Sequence, residues 1–213
     1  MISIHSIQFD NLGWNKVEEN EQQISFQNPQ KPETLTLRYF KTAPEITCAL
    51  EQIDLLRQAY RLPVAEAGGG LISFDLIQLQ KLNCLDAIFK IPQQPRGMSY
   101  LGSLTFPFAD FSFALRLQCP ELGTTGLREA FVVNEYLDKG LLQIDLETQQ
   151  MIGWAEDPYD KAFNGGNPMN KAEQELYDAQ FPEHPLSRVR QIMPTLKQSI
   201  KVSAELLLAK PFL

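Results

Sequence analysis

An alternation of apolar with small or polar residues runs through residues 98–119 and constrains the fold more than any other feature. In its second half the apolar positions are Phe111, Phe113, Leu115, Leu117 and Cys119, and the positions between them are Ser112, Ala114, Arg116 and Gln118. A period of two is typical of a β-strand with one buried face. Residues 98–106 repeat the pattern, and the short link 107–110 predicts a hairpin. We expect the strand 111–119 to be central in a sheet.

Further strand patterns surround this hairpin. Residues 71–79 and 84–91 precede it, and sequential strands with short links predict an antiparallel meander. An earlier pair, 23–27 and 34–40, is expected to extend the same sheet, and the first eleven residues to add a short edge strand. We therefore expect an α+β fold with an antiparallel sheet of about six strands.

Capping and spacing patterns indicate helices. Residues 42–63 begin with a capping box and carry an apolar stripe, and residues 125–140 end in a basic turn and a glycine. The pattern N-x-x-E at 170–173 predicts a short helix. The last helix begins near Pro185, and Pro194 within it is expected to kink or split it.

The second face of the predicted sheet carries small residues. They are Ser99, Gly102, Ser103, Ser112 and Ala114. Small side chains let a helix approach a sheet closely, so we expect helices on both faces, in three layers. Arg116 projects from the same face, and a covered guanidinium needs a partner, for which Glu129 is the nearest candidate in sequence.

The length of 213 residues allows one domain or two small ones, at roughly 150 residues per domain. No internal repeat divides the chain, and we expect a single domain over residues 1–213. Within it, residues 143–180 are expected to form an irregular insertion with a short helix. Pro158, Gly165 and Pro168 interrupt any periodic pattern there.

The charge balance disfavours several partners. The 19 Lys and Arg against 26 Asp and Glu leave a net charge of −7, which argues against nucleic acid and against an anionic membrane surface. No apolar run approaches the roughly 18 residues of a transmembrane helix, and residues 1–14 lack the features of a secretory signal. A cytoplasmic protein is expected, provided that residue 1 is the native start.

The cysteines carry no sign of a metal site. Cys48, Cys84 and Cys119 lie far apart in apolar or amphipathic stretches, and no CxxC occurs. A cysteine-based zinc site is therefore not expected. We expect three buried free thiols, a reducing compartment, and no metal or other cofactor.

The order of a strand pair, a capped helix, a four-strand meander and C-terminal helices resembles the α/β/α sandwich of the PsbP family. The resemblance covers roughly residues 20–205 and implies a scaffold used mainly for binding. It implies no site residue, because it rests on element order. The runs 123–130, 157–160 and 181–190 also resemble segments of uncharacterised bacterial proteins, which implies no activity.

Two loop patterns suggest ligands without completing a motif. The run 123–126, Gly-Thr-Thr-Gly, precedes a helix whose N-terminus can hold an anion, but the phosphate-loop pattern is absent and Glu121 and Glu129 flank it. Asp157 and Asp160 suggest calcium, but the ligand spacing of an EF-hand is absent. Turns stabilised by Thr and Asp side chains are the favoured interpretation.

The irregular insertion and the start of the last helix form the candidate binding site. Its residues are Trp154, Asp157, Tyr159, Asp160, His184, Arg188 and Arg190. We expect the two aspartates to pair with the two arginines and so to dock the insertion against the last helix. His184 is expected to cap that helix rather than to act as a general base. The aromatic side chains either pin the insertion as a satellite core or form a docking patch.

Two functions remain open. The first is a non-catalytic binding protein whose partner is another protein, for example an immunity or accessory protein of a bacterial toxin or secretion system. The second is a hydrolase-type enzyme that uses Asp157, Asp160 and Glu129. An enzyme is expected to show a deep pocket that holds a carboxylate of raised pKa, and a binding protein a shallow apolar patch.

Overall fold

The structure is a computed structural model that describes residues 1–147 and 151–212. Its strands are β1 (Ile7–Gln8), β2 (Asn15–Glu19), β3 (Gln23–Gln27), β4 (Thr34–Phe40), β5 (Gly70–Leu79), β6 (Leu82–Pro92), β7 (Met98–Pro107), β8 (Ser112–Pro120), β9 (Gln143–Ile144), β10 (Met151–Ile152) and β11 (Lys201–Val202). Its α-helices are α1 (Ile53–Glu66), α2 (Leu127–Asp138), α3 (Pro185–Ser199) and α4 (Ala204–Leu207).

Seven of these strands form one antiparallel sheet in the order β2-β3-β4-β8-β7-β6-β5. The predicted α+β class and the antiparallel meander are therefore confirmed. The seventh strand, β2, was missed because every residue of Asn15–Glu19 is exposed, so its sequence has no apolar alternation. The short strand expected within the first eleven residues exists as β1, but it pairs with β11 in a separate sheet.

The strand β8 is the middle strand of the sheet, as expected from its alternation. It pairs with β4 on one side and with β7 on the other. Phe113, Leu115 and Leu117 are fully buried in the main core. This core takes its second wall from α3, through Leu186, Val189, Met193 and Leu196.

The helix α3 lies directly over β7 at Gly102. A Cβ built on this glycine would stand 2.6 Å from Sδ of Met193, closer than two such atoms can approach. Gly102 therefore faces α3 with Tyr100 and Leu104, and the prediction that it shares a face with Ser103 was wrong. The helix α1 packs instead against β5 and β6, where Leu56 belongs to a second core. The PsbP-like three-layer arrangement stays a prediction.

Three helix predictions need correction. The helix α1 begins at Ile53 rather than at residue 42, because the backbone of Ala49 donates to the side chain of Gln52 in a turn, and no side-chain cap forms upstream. The capping box at 170–173 forms as predicted, but it opens a 3-10 turn rather than an α-helix. The helix α3 continues through Pro194, which therefore does not split it. The predicted helix at 125–140 is confirmed as α2.

The insertion 143–180 contains the β9–β10 hairpin, a docked loop and two 3-10 turns, at Lys171–Glu173 and Glu175–Tyr177. Part of the predicted insertion, residues 148–150, lies outside the described residues. The three cysteines are free thiols, and Cys84 and Cys119 are buried while Cys48 is half-buried. Within residues 1–147 and 151–212, no helix has the length and apolar character to cross a bilayer.

Replacing Phe113 by Asp tests the position of β8. The side chain is fully buried, and an unpaired carboxylate there is expected to lower the free energy of unfolding by about 4 kcal/mol or more. Chemical denaturation of both proteins measures this difference. Val17→Asp on the exposed strand β2 is the matched control and should change stability by less than about 0.5 kcal/mol. Equal stability of Phe113→Asp and the wild type would contradict the sheet described here.

Candidate functional site

The structure separates the predicted site residues into two groups. Trp154, Asp157, Tyr159 and Asp160 lie in the insertion, which packs against α1, β5 and α2. His184, Arg188 and Arg190 lie at the start of α3, where each has other partners. The two groups therefore do not form one site.

Arg61 of α1 anchors the insertion. Its guanidinium donates to Asp157 at 3.0 Å and to Asp160 at 3.1 Å, and it stacks on the ring of Phe163 at 4.2 Å. The hydroxyl of Tyr159 accepts a hydrogen bond from the backbone N–H of Phe74 at 2.7 Å. The predicted pairing of Asp157 and Asp160 with Arg188 and Arg190 was therefore wrong, because a closer arginine on α1 neutralises both carboxylates.

The aspartates of the insertion serve its own turn. Oδ1 of Asp157 accepts the backbone N–H groups of Tyr159 and Asp160, both at 3.0 Å. This is the expected Asp-stabilised turn. Trp154 is buried with Val132 of α2 and Tyr177 in a small separate core. Trp154 therefore belongs to the satellite core that the sequence predicted. The carboxylate of Asp157 is bound by Arg61 and by the turn, so it is not free for catalysis.

The arginines of α3 are also used within the fold. Arg188 donates to both carboxylate oxygens of Glu33, at 2.8 and 3.2 Å. Arg190 donates to both oxygens of Asp178 at 3.2 Å and to the backbone carbonyl of Glu173 at 2.8 Å. Both guanidinium groups hold neighbouring segments against α3.

His184 is the N-cap of α3, as predicted. Its Nδ1 accepts the backbone N–H of Leu186 at 3.3 Å, and the backbone of Pro185 has no N–H to satisfy. Its Nε2, in contrast, is buried without a hydrogen-bond partner. The nearest carboxylate oxygens belong to Glu121, at 3.8 Å, and to Glu129, at 3.9 Å.

The two glutamates beside His184 differ in their surroundings. The carboxylate of Glu121 accepts the backbone N–H groups of Met98, at 2.8 Å, and Gly126, at 3.1 Å. Oε2 of Glu129 has no partner. Burial raises the pKa of Glu129, and the charges of Glu121 and Glu173 raise it further. This side chain is half-buried, and it is the carboxylate with a raised pKa that the enzyme hypothesis requires.

A buried network beside these glutamates was missed by the sequence analysis. Glu173 accepts Nζ of Lys90 at 2.8 Å and the hydroxyl of Tyr100 at 2.7 Å, and all three side chains are almost fully buried. The partners come from β6, β7 and the 3-10 turn at 171–173. No local pattern could join them, because the contacts depend on how distant segments meet.

A groove opens between α1, the segment 40–46 and the sheet. Its volume is about 640 Å³. Its floor consists of Ser103, Thr105, Ser112 and Ala114, and its apolar walls include Leu56, Tyr60, Pro63, Phe89, Ile91 and Leu101. Ser103, Ser112 and Ala114, three of the small residues predicted to receive a helix, therefore lie under a groove. The helix α1 packs over β5 and β6 and leaves β7 and β8 open.

Arg116 lines this groove, and its predicted partner was wrong. Glu129 lies beside His184, and Arg116 forms no ion pair with any residue in the described ranges 1–147 and 151–212. Burial lowers the pKa of Arg116, and the nearby charge of Arg38 lowers it further. Glu45, at the rim of the groove, is the other charged lining residue. The side chain of Arg116 is exposed in the groove, so water solvates its guanidinium and the covered face expected from the sequence is not formed there.

Comparison with known proteins identifies no family. No family model matches the chain, and no curated protein matches it. Among solved structures, it is similar to a protein of Bacteroides thetaiotaomicron VPI-5482 whose crystal structure is known at 1.50 Å resolution, with 14% identity and a TM-score of 0.33. The similarity covers 52% of this chain and 37% of that one, so this chain spans little more than a third of the Bacteroides protein. The likeness is to a bacterial protein, and nothing about the site follows from it.

Replacing Arg61 by Ala tests the anchor of the insertion. The change leaves the buried Asp157 without its cation, so we expect a loss of about 3–5 kcal/mol in stability and much faster cleavage after Lys161 by a lysine-specific protease. Arg38→Ala is the control, because Arg38 is an exposed residue of β4 that donates to Gln23 and makes no contact with the described residues of the insertion. The anchor is disproved if both variants are cleaved at the wild-type rate.

The buried imidazole predicts a pH dependence of stability. Burial and the charges of Arg128 and Arg190 lower the pKa of His184 from 6.5 to about 3. The unfolded chain therefore binds a proton that the folded chain excludes, and stability falls as the pH drops from 6.5 towards 3. The slope from this residue is at most about 1.4 kcal/mol per pH unit.

Chemical denaturation of the wild type and of two histidine variants at several pH values measures this contribution. His184→Asn keeps a capping side chain but removes the titration, and the slope is expected to decrease. His5→Asn, which changes an exposed histidine, should leave the slope unchanged. A His184→Asn slope identical to that of the wild type would contradict the prediction.

Proposed function

We propose that the chain is a non-catalytic binding protein and that the groove between α1 and the sheet is its binding site. The partner is another protein, which inserts a short apolar segment that carries a carboxylate. The observation that carries this proposal is Arg116, an exposed guanidinium that forms no ion pair among the described residues and lies beside the apolar walls of the groove. The immunity or accessory role remains one form of this function.

The chemistry of the groove favours such a segment. Its volume of about 640 Å³ lies in the usual range for binding pockets. A floor of Ser103, Ser112 and Ala114 lets the ligand approach the strands closely. Arg116 can receive a carboxylate through two parallel hydrogen bonds, and removal of water from the groove strengthens such a pair.

The three-layer, PsbP-like arrangement belongs to this proposal. In that arrangement α1 and α3 lie on opposite faces of the sheet, and the groove is the part of one face that α1 leaves open. A scaffold of this kind keeps the floor rigid, because β7 and β8 are paired along their whole length. Binding then needs little ordering of the protein.

An enzyme is the second candidate, and Glu129 is the observation in its favour. Its carboxylate has a raised pKa and lies at a cavity of about 250 Å³ that Lys90, Asn167 and Asn170 also line. Asp157 and Asp160 no longer support this candidate, because Arg61 pairs with both.

Capture of the partner with immobilised full-length chain tests the binding function. Arg116→Glu reverses the charge in the groove, and Ala59→Trp fills it from the exposed face of α1. We expect both variants to lose a protein that the wild type retains from native lysate, and the purified partner to bind them at least tenfold more weakly. Lys81→Glu, an equal charge reversal outside the groove, should bind like the wild type.

Equal capture by all four proteins would place the site elsewhere. Glu129→Gln distinguishes the two candidates. A binding protein that uses the groove keeps its affinity in this variant, whereas an enzyme that depends on Glu129 loses its turnover.

A further inference from the structure

We propose that Glu121, Glu129 and His184 form a binding site for one divalent transition cation of the zinc class. The site would lie where three elements meet. Glu121 follows the end of β8, Glu129 stands in the first turn of α2, and His184 is the N-cap of α3. One ligand atom from each residue lies within 4.8 Å of the other two.

The unpaired imidazole nitrogen is an independent sign of a ligand. The side chain of His184 is only 7% exposed, and its Nε2 points towards the two carboxylates without reaching a hydrogen-bond distance. Buried polar atoms are nearly always paired in folded proteins. Two carboxylate oxygens and one imidazole nitrogen around a common point are also a set of ligand atoms that a divalent cation can bind.

The two carboxylates have no cationic partner among the described residues, although the guanidinium of Arg128 lies 3.5 Å from the other ring nitrogen of His184. Lys90 is paired with Glu173, and Arg128 is paired with Asp178. No Lys or Arg in the described parts of the chain forms an ion pair with Glu121 or Glu129. A cation between them would therefore neutralise a charge that the fold does not neutralise itself.

The distances are close to those of a coordination shell. Ligand atoms around a tetrahedral ion at about 2.1 Å lie roughly 3.4 Å apart. The separations are 3.8 and 3.9 Å from Nε2 and no more than 4.8 Å between the carboxylate oxygens, so the side chains must close on the ion. Glu129 can make this movement, because its Oε1 faces Nε2, its Oε2 is unpaired, and no Lys or Arg in the described residues forms an ion pair with it. The backbone N–H groups of Met98 and Gly126 hold Glu121 in place, as outer-shell donors commonly do for a metal-binding carboxylate.

The tautomer of His184 sets the cost of binding. Nδ1 accepts the N–H of Leu186 at 3.3 Å and lies 3.5 Å from Nη1 of Arg128. In the metal-free protein the ring proton is therefore on Nε2. A cation on Nε2 moves this proton to Nδ1 and breaks the long capping bond. The charge of the ring does not change, but the protonated Nδ1 then faces two donors, the N–H of Leu186 and Nη1 of Arg128. The binding energy of the zinc ion must exceed the cost of the lost cap and of this repulsion.

The ligand set selects the type of cation. One imidazole nitrogen and two carboxylate oxygens suit Zn²⁺ and its neighbours, whereas Mg²⁺ and Ca²⁺ prefer oxygen alone. Three protein ligands also leave a coordination position free, beside the cavity that Tyr100 and Asn170 line.

This proposal revises the expectation that the chain has no metal site, and it does not depend on the binding function of the groove.

Calorimetric titration of chelator-treated full-length chain with zinc chloride tests the site. We expect one Zn²⁺ per chain and at least tenfold weaker binding of Mg²⁺. Glu129→Gln and His184→Asn should each weaken zinc binding about tenfold or more. Glu183→Gln, an exposed carboxylate next to His184, and His5→Asn, in an exposed His–Glu pair, are the matched controls and should bind like the wild type.

The ¹⁵N resonances of His184 give a second measurement. They should report the proton on Nε2 without metal and on Nδ1 after one equivalent of Zn²⁺. If His184→Asn does not fold, as judged by thermal melting, Glu129→Gln decides the test alone. Absence of stoichiometric binding, or equal binding by Glu129→Gln and Glu183→Gln, would overturn the proposal.

Discussion

The guanidinium of Arg128, whose side chain has no exposed surface, holds three segments of the chain in one arrangement. It donates to the backbone carbonyls of Ala172 and Gln174, in the segment 171–177 that contains both 3-10 turns (the 3-10 segment). It also donates to the side chains of Ser187 and Asp178. A buried cation is stable only where its donors are satisfied. The helices α2 and α3 must therefore meet the 3-10 segment at this point. Glu129 and His184 flank the arrangement, so the proposed cation site depends on it.

The two proposed sites differ in the sign of the charge that has no ion pair within the described parts of the fold. At the groove a single cation, Arg116, lies beside apolar walls, which suits a partner that brings its own carboxylate. At the start of α3 two carboxylates are held beside a neutral imidazole, which suits a small ion. Near the start of α3 the other buried charges are paired, as Arg188 is with Glu33 and Lys90 is with Glu173. At the groove, the side chain of Arg116 is exposed to solvent, and Glu45 also lines the walls.

Much of the sheet could be predicted because its pattern is local. The alternation around Phe113 specifies a strand whatever its neighbours are, and the N-cap of α3 follows from His184 and Pro185. The partners of Asp157 and Arg116 could not be predicted, because an ion pair depends on which distant segments pack together. Sequence proximity favoured Glu129 as the partner of Arg116, and the expected docking on the last helix favoured Arg188 and Arg190 as partners of the aspartates. Packing supplied no carboxylate in the first case and Arg61 in the second. Strand β2 escaped detection because an exposed edge strand needs no apolar side chains.

The strand β8 contributes to both sites, since Arg116 lies within it and Glu121 directly follows it. Successive side chains of a strand point to opposite faces. Insertion of one residue before Arg116 would turn that side chain towards α3 and exchange the buried and open faces over the rest of the strand. It would also displace Glu121 from the backbone amides that hold it. The groove and the acidic cluster are thus coupled through one backbone, and neither can change its register during evolution without loss of the other.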